Sequence, residues 1–131
     1  MAAAESYPED LRYHPEHDWA RIDGDEAVLG ITWFAADALG ELVHFEPPEV
    51  GASIVKDESY GEVESVKAVS DLIAPLSGEV LEVNRQVVDA PETVNEDPYG
   101  AGWLIRIRLS EPSEEQSLLE LAAYRQLLAE Q

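Results

Sequence analysis

The chain contains no cysteine. That excludes disulfides, thiol nucleophiles and zinc sites built on thiolates, so any sulfur chemistry must come from a group attached to the chain. Basic residues are scarce: 8 Lys and Arg stand against 28 Asp and Glu, a formal net charge of −20. A surface of that sign repels phosphate, which argues against nucleic-acid binding and docking on anionic membranes. No run approaches the ~18 consecutive apolar residues of a membrane span. The stretch from Met1 to Tyr7 has no basic n-region, no long apolar run and no Arg-rich amphipathic pattern. The expected compartment is the bacterial cytosol, or the mitochondrial matrix if a leader has been removed.

What is present suffices for one domain. The chain has 131 residues, 45% of them hydrophobic, enough for a single core. Residues 1–12 are Ala-rich, then acidic around Pro8, and read as a flexible N-terminal segment. Residues 13–131 read as a single domain with a C-terminal helical extension. Trp19 to Ile22 and Val28 to Ile31 read as strands joined by a turn at Asp23-Gly24-Asp25. Thr32 caps a short helix that Gly40 stops. Leu42, Val43 and Phe45 form a strand ended by Pro47-Pro48. Tyr60 to Val66 alternates polar and apolar residues and pairs with Leu72-Ile73-Ala74, leaving Lys67 to Asp71 as the hairpin tip. Ser77 to Asn84 alternates again, and Gly61-Glu62-Val63-x-x-Val66 matches Gly78-Glu79-Val80-x-x-Val83, as the two halves of a pseudo-symmetric sandwich would. Pro91 to Gly100 reads as turns with at most one helical turn, and Trp103 to Leu109 as the clearest strand. Ser113 and Gln116 have capping-box spacing ahead of a helix with Leu118, Leu121, Ala122 and Leu128 on one face. The chain is mainly β, with helix at its end.

Only two lysines occur, Lys56 and Lys67. A lysine on a tight turn between strands has a fixed backbone and an exposed amine, which suits enzymatic modification; it equally suits a solubilising edge charge. His14 and His17 have H-x-x-H spacing, but Pro15 between them speaks against a helical metal site. His44 alternates with Val43 and Phe45 and should face solvent. Trp19, Trp33 and Trp103 read as core residues, although Trp33-Phe34 also suits an altered docking surface.

The octapeptide Glu64-Ser65-Val66-Lys67-Ala68-Val69-Ser70-Asp71 closely resembles the lipoyl-lysine hairpin of glycine cleavage system H proteins. His17-Asp18-Trp19 is similar to that family's His-Glu-Trp. Gly30-Ile31-Thr32, Leu39-Gly40-Glu41, Pro48-Glu49-Val50-Gly51, Pro75 to Val80, Val94 to Gly100 and Gly102 to Ile105 fall where the family has similar stretches. The likeness runs in order over roughly residues 13 to 125.

The resemblance implies a barrel-sandwich hybrid: two small antiparallel sheets, short helices and a C-terminal helix. It implies a non-catalytic carrier with lipoic acid in amide linkage on Lys67. Such a carrier takes the aminomethyl group of glycine from the pyridoxal-phosphate-dependent glycine decarboxylase (P protein) to the tetrahydrofolate-dependent aminomethyltransferase (T protein). Dihydrolipoamide dehydrogenase (L protein) then reoxidises it. Lipoate-attaching enzymes are further implied partners, with Glu64, Gly51 and Gly78 at positions of the lipoylation pattern. Asp18, Asp71 and, on the same loop as Asp18, Glu16 would provide carboxylates for the cationic aminomethyl arm. Asp18 stands where the family usually has Glu, one methylene longer. Three rival readings are a lipoyl relay supplying 2-oxoacid dehydrogenases, a biotinyl carrier and an unmodified acidic β-module. Biotin attachment typically has Met on both sides of the lysine, whereas Val66 and Ala68 flank Lys67.

Overall fold

In the computed structural model of the chain the described residues are 2–131. The strands are β1 (Arg12–Tyr13), β2 (Asp18–Asp23), β3 (Glu26–Ile31), β4 (Leu42–Glu46), β5 (Ser53–Ile54), β6 (Ser59–Ser65), β7 (Val69–Ile73), β8 (Gly78–Val83) and β9 (Ile105–Leu109). The helices are α1 (Trp33–Leu39), α2 (Arg85–Asp89), α3 (Thr93–Glu96) and α4 (Leu121–Ala129), with a 3-10 turn over Pro112–Ser117. Two antiparallel sheets result, one of six strands in the order β1-β2-β3-β9-β8-β5 and one of three in the order β4-β6-β7. They form the expected two-sheet sandwich, with no closed barrel among the described residues.

The period-2 pattern explains which side of each strand is buried. On β9, Ile105 and Ile107 point inward while Arg106 and Arg108 point out. Outward Arg106 bridges Glu26 at 2.8 Å and Glu82 at 3.2 Å, using one of the few cations on the outer face of the large sheet. Leu29, Phe45, Val63, Leu72, Val80 and Ile107 belong to the main core. Burying each such side chain contributes roughly 1.5–3 kcal/mol. The echoed fragments fall on β6 and β8, one in each sheet, and Val63 and Val80 are both buried. The match stops there: Val83 is buried, whereas Val66 lies past the end of β6 and is 87% exposed.

A second cluster is aromatic. Tyr13 stacks on Tyr124 with ring centroids 4.5 Å apart, and Tyr7, Trp19 and Tyr99 join them. Trp19 lies across Gly30, where any Cβ would sit 2.5 Å from the indole, so no other residue fits there without a shift. Trp33 and Trp103 pack at the margin of this cluster. The cluster draws in the N-terminal segment, which had been expected to be loose. Tyr7 and Leu11 are buried, Ala3 accepts a hydrogen bond from the Trp33 indole at 2.8 Å, and Ser6 accepts one from the Tyr99 hydroxyl at 2.6 Å. Met1 lies outside the described residues.

The C-terminal region departs from expectation for a local reason. Leu119 exchanges backbone hydrogen bonds of 2.8 Å with Tyr13, which holds it extended and delays α4 until Leu121. Leu118 is therefore not on the helix face. The Ser113–Gln116 capping box does not form: Glu111 precedes the 3-10 turn, and its end has no side-chain cap. Glu114 turns instead to Ser77, accepting from its amide at 2.7 Å and its hydroxyl at 2.9 Å.

Candidate functional site

Strands β6 and β7 form the hairpin that carries Lys67. Their register pairs Gly61 with Leu72, Glu62 with Asp71, Val63 with Ser70 and Glu64 with Val69. The Ser65 amide then donates to the Ala68 carbonyl at 2.8 Å. The tip is thus shorter than the sequence suggested: Val66 and Lys67 make the turn, and Asp71 lies within β7. Ser65 is buried, and its hydroxyl accepts from the amides of Lys67 at 3.3 Å and Ala68 at 3.2 Å, an ST-type turn that satisfies the tip's donors. No tip residue has positive φ.

The two lysines differ sharply. Lys56 has a side chain 21% exposed and donates to both oxygens of Asp57 at 3.1 and 3.2 Å. Lys67 is exposed, and among the described residues no carboxylate pairs with its ammonium. Its aliphatic stem runs beside Gly40, the positive-φ residue (φ 84°) that closes α1; a Cβ there would lie 3.7 Å from Lys67 Cε. An exposed amine on a two-residue turn held by Ser65 fits acylation.

The carboxylates named from the sequence occupy different environments. Glu16 and Asp71 are exposed, and Glu64 is half-buried opposite Val69. Asp18 is 2% exposed, so it does not share an open surface with the other two. Burial drives its carboxyl well above the usual range; a hydrogen bond from the Ile73 amide opposes this, and the nearby Glu16 charge adds to the rise. Asp18 Oδ1 and the Tyr60 hydroxyl are both buried without a hydrogen-bond partner among the described residues. Tyr60 is the extra residue of a bulge in β6 between Ser59 and Gly61, opposite Ile73. Asp18 of the large sheet thus ties to β7 of the small one where the ladder is interrupted. The alternating pattern that marks Tyr60 as inward gave no signal that it would meet a carboxyl there.

Gly51 and Gly78 have distinct reasons to be glycine. Gly51 has φ 92°, as a turn requires. Gly78 has no such φ; its missing Cβ makes room for the Arg108 carbonyl of β9. The histidines turn to separate partners. His14 Nδ1 accepts from the Glu16 amide, so Nε2 carries the proton and donates to Asp57 at 2.7 Å. His17, at φ 76°, meets the Tyr124 hydroxyl at 2.8 Å. His44 is exposed as expected, but so is Val43, because a bulge lies between Leu42 and His44.

This sandwich, with a lysine hairpin on its smaller sheet, has clear relatives. The family model described as glycine cleavage H-protein matches residues 11–131. The chain belongs to the glycine cleavage H-protein family. It is 54% identical over 124 residues to the glycine cleavage system H protein of Anaeromyxobacter sp. (strain K), covering 95% of this chain and 97% of that one. The corresponding protein of Rubrobacter xylanophilus is also 54% identical, covering 95% and 96%. A crystal structure of the H protein from Mycobacterium marinum superposes with a TM-score of 0.83 at 43% identity, covering 94% of this chain and 99% of the other. In this H-protein fold, sequence reasoning missed the two-residue strands β1 and β5 and the helix α2. Asn84 caps it by accepting from the Gln86 amide at 3.1 Å, and its Nδ2 donates to the carbonyls of Ala101 and Trp103. An Asn ahead of Arg85-Gln86-Val87-Val88 was the available signal.

Proposed function

We propose that this chain is a non-catalytic cytoplasmic carrier of the glycine cleavage system, bearing lipoic acid in amide linkage on Nζ of Lys67. The observation supporting it most directly is the contrast between the lysines: Lys56 is paired and half-buried, whereas Lys67, at the apex of the hairpin, has no carboxylate partner among the described residues. When attached, the dithiolane supplies the sulfur chemistry by which the aminomethyl unit of glycine passes from the decarboxylase to the aminomethyltransferase, with dihydrolipoamide dehydrogenase as reoxidant.

The chain's own residues do the holding. Ser65 fixes the turn, so the reach of the arm comes from its side-chain torsions, and tethering raises the effective concentration at each enzyme. Glu64 faces outward within the hairpin, as a recognition contact for the lipoate-attaching enzyme. Gly51 and Gly78 contribute to that recognition through backbone shape. Asp71 and Glu16 offer solvent-facing carboxylates to a cationic arm. Asp18, one methylene shorter than the family's usual Glu, is buried and supports β7 from beneath by accepting from the Ile73 amide.

Intact mass after co-expression with a lipoate-attaching enzyme and lipoate tests the assignment. The wild type should gain one lipoyl amide and Lys67→Arg none, with Lys56 present in both. A wild type left unmodified by an enzyme active on a control protein would refute the reading.

A further inference from the structure

We propose that the outer face of the β4-β6-β7 sheet, at its lysine end, is the docking surface of the enzyme that acylates Lys67, and that Val43 on β4 is part of it. The proposal rests on the carrier reading above. Five large hydrophobic residues are exposed among the described residues, and three of them gather here: Val43 at 50%, Val66 at 87% and Val69 at 60%. The ladder explains their proximity. His44 pairs with Glu64, Glu64 pairs with Val69, and Val43 is the extra residue in the β4 bulge beside them. Strict alternation would have turned Val43 away from His44; the bulge leaves both outward. Val66 continues the apolar stripe onto the tip, next to Lys67.

The position of the reacting atom selects the occupant. Neighbouring strands lie about 4.8 Å apart. An enzyme forming a bond to Nζ of the bare lysine must bring its active site down onto the hairpin, and so covers the adjoining strand. Enzymes that act on the far end of a fully extended arm have no such requirement. Charge defines the surface this enzyme must present. Glu46, Glu62 and Asp71 form one cross-strand row and Glu64 lies in the next, so the matching surface is an apolar recess rimmed by Lys and Arg.

The test is steady-state acylation of the unmodified protein by a lipoate–protein ligase with lipoate and ATP. Val43→Arg and Val69→Arg should each raise KM about tenfold, the equivalent of one lost interface anchor, with kcat little changed. Val43→Ile should match the wild type. Val55→Arg supplies the control: Val55 is 49% exposed but follows β5 on the other sheet, so the same change of charge there should leave KM unaltered. Val43→Thr carries the same test with a smaller loss should Val43→Arg not fold. The proposal is overturned if Val43→Arg and Val43→Thr acylate like the wild type, or if Val55→Arg is impaired equally. It is also overturned if pre-lipoylated Val43→Arg loses as much activity with glycine decarboxylase, since the face would then serve every partner. No acylation of the wild type itself would instead remove the carrier reading, and the docking surface with it.

Discussion

Asp18 shows how one side chain can be recognised in sequence and still misplaced in space. Its position beside Trp19 is legible, but its burial is not, because the partner that receives it, the Ile73 amide, lies 55 positions away in sequence, opposite the bulge in β6. The energetic consequence has a definite sign. Burial raises the folded-state pKa above the unfolded value of about 3.9. The associated stabilisation is complete below that value and is lost as pH rises through the folded pKa. Asp18→Asn keeps an oxygen for Ile73, brings a donor towards Tyr60 and carries no titration. Its stability advantage over the wild type should therefore widen as pH rises above the unfolded value of about 3.9 towards neutrality. Urea midpoints across that range measure it; a constant or shrinking difference contradicts the assignment.

At the scale of elements, the sequence was most readable where one local rule decides the outcome. The β2–β3 hairpin follows from Asp23-Gly24-Asp25, with Gly24 at φ 65°, and α1 follows from its Thr32 cap and its Gly40 stop. The Lys67 hairpin was legible as a hairpin, but its tip was drawn too long. Ser65 closes the turn by side-chain hydrogen bonds that alternation does not encode. The C-terminal helix was legible in kind and wrong at its start, because a backbone pairing with Tyr13 competes for Leu119. Asn84 is the element-scale test. Its replacement by Ala removes a helix cap, worth about 1 kcal/mol, and unpairs two carbonyls. The summed loss should be about 2–4 kcal/mol. Chemical denaturation would show it as a lower midpoint at unchanged slope, whereas a loss under about 0.5 kcal/mol would mean that water replaces the amide.

The whole molecule must hold a net charge of −20 on a small sandwich. Part of that charge is arranged unfavourably: Glu46, Glu62 and Asp71 sit opposite one another across three strands, a like-charge row that weakens the smaller sheet. Salt should relieve this. Raising ionic strength from about 0.01 M to about 0.15 M shortens the Debye length from roughly 30 Å to roughly 8 Å, so the thermal midpoint should rise by several degrees. A midpoint that stays level would mean the row is already neutralised. The pairing of Lys56 with Asp57 also affects how the protein behaves on a sensor chip or under a crosslinker. Amine-reactive reagents find only two ε-amines here, and the more accessible is Lys67. Random amine coupling of the unmodified protein would anchor it by that lysine, hiding the hairpin from a lipoate-attaching enzyme under study. A cysteine introduced on the far sheet, in a chain that has none, would leave that face free.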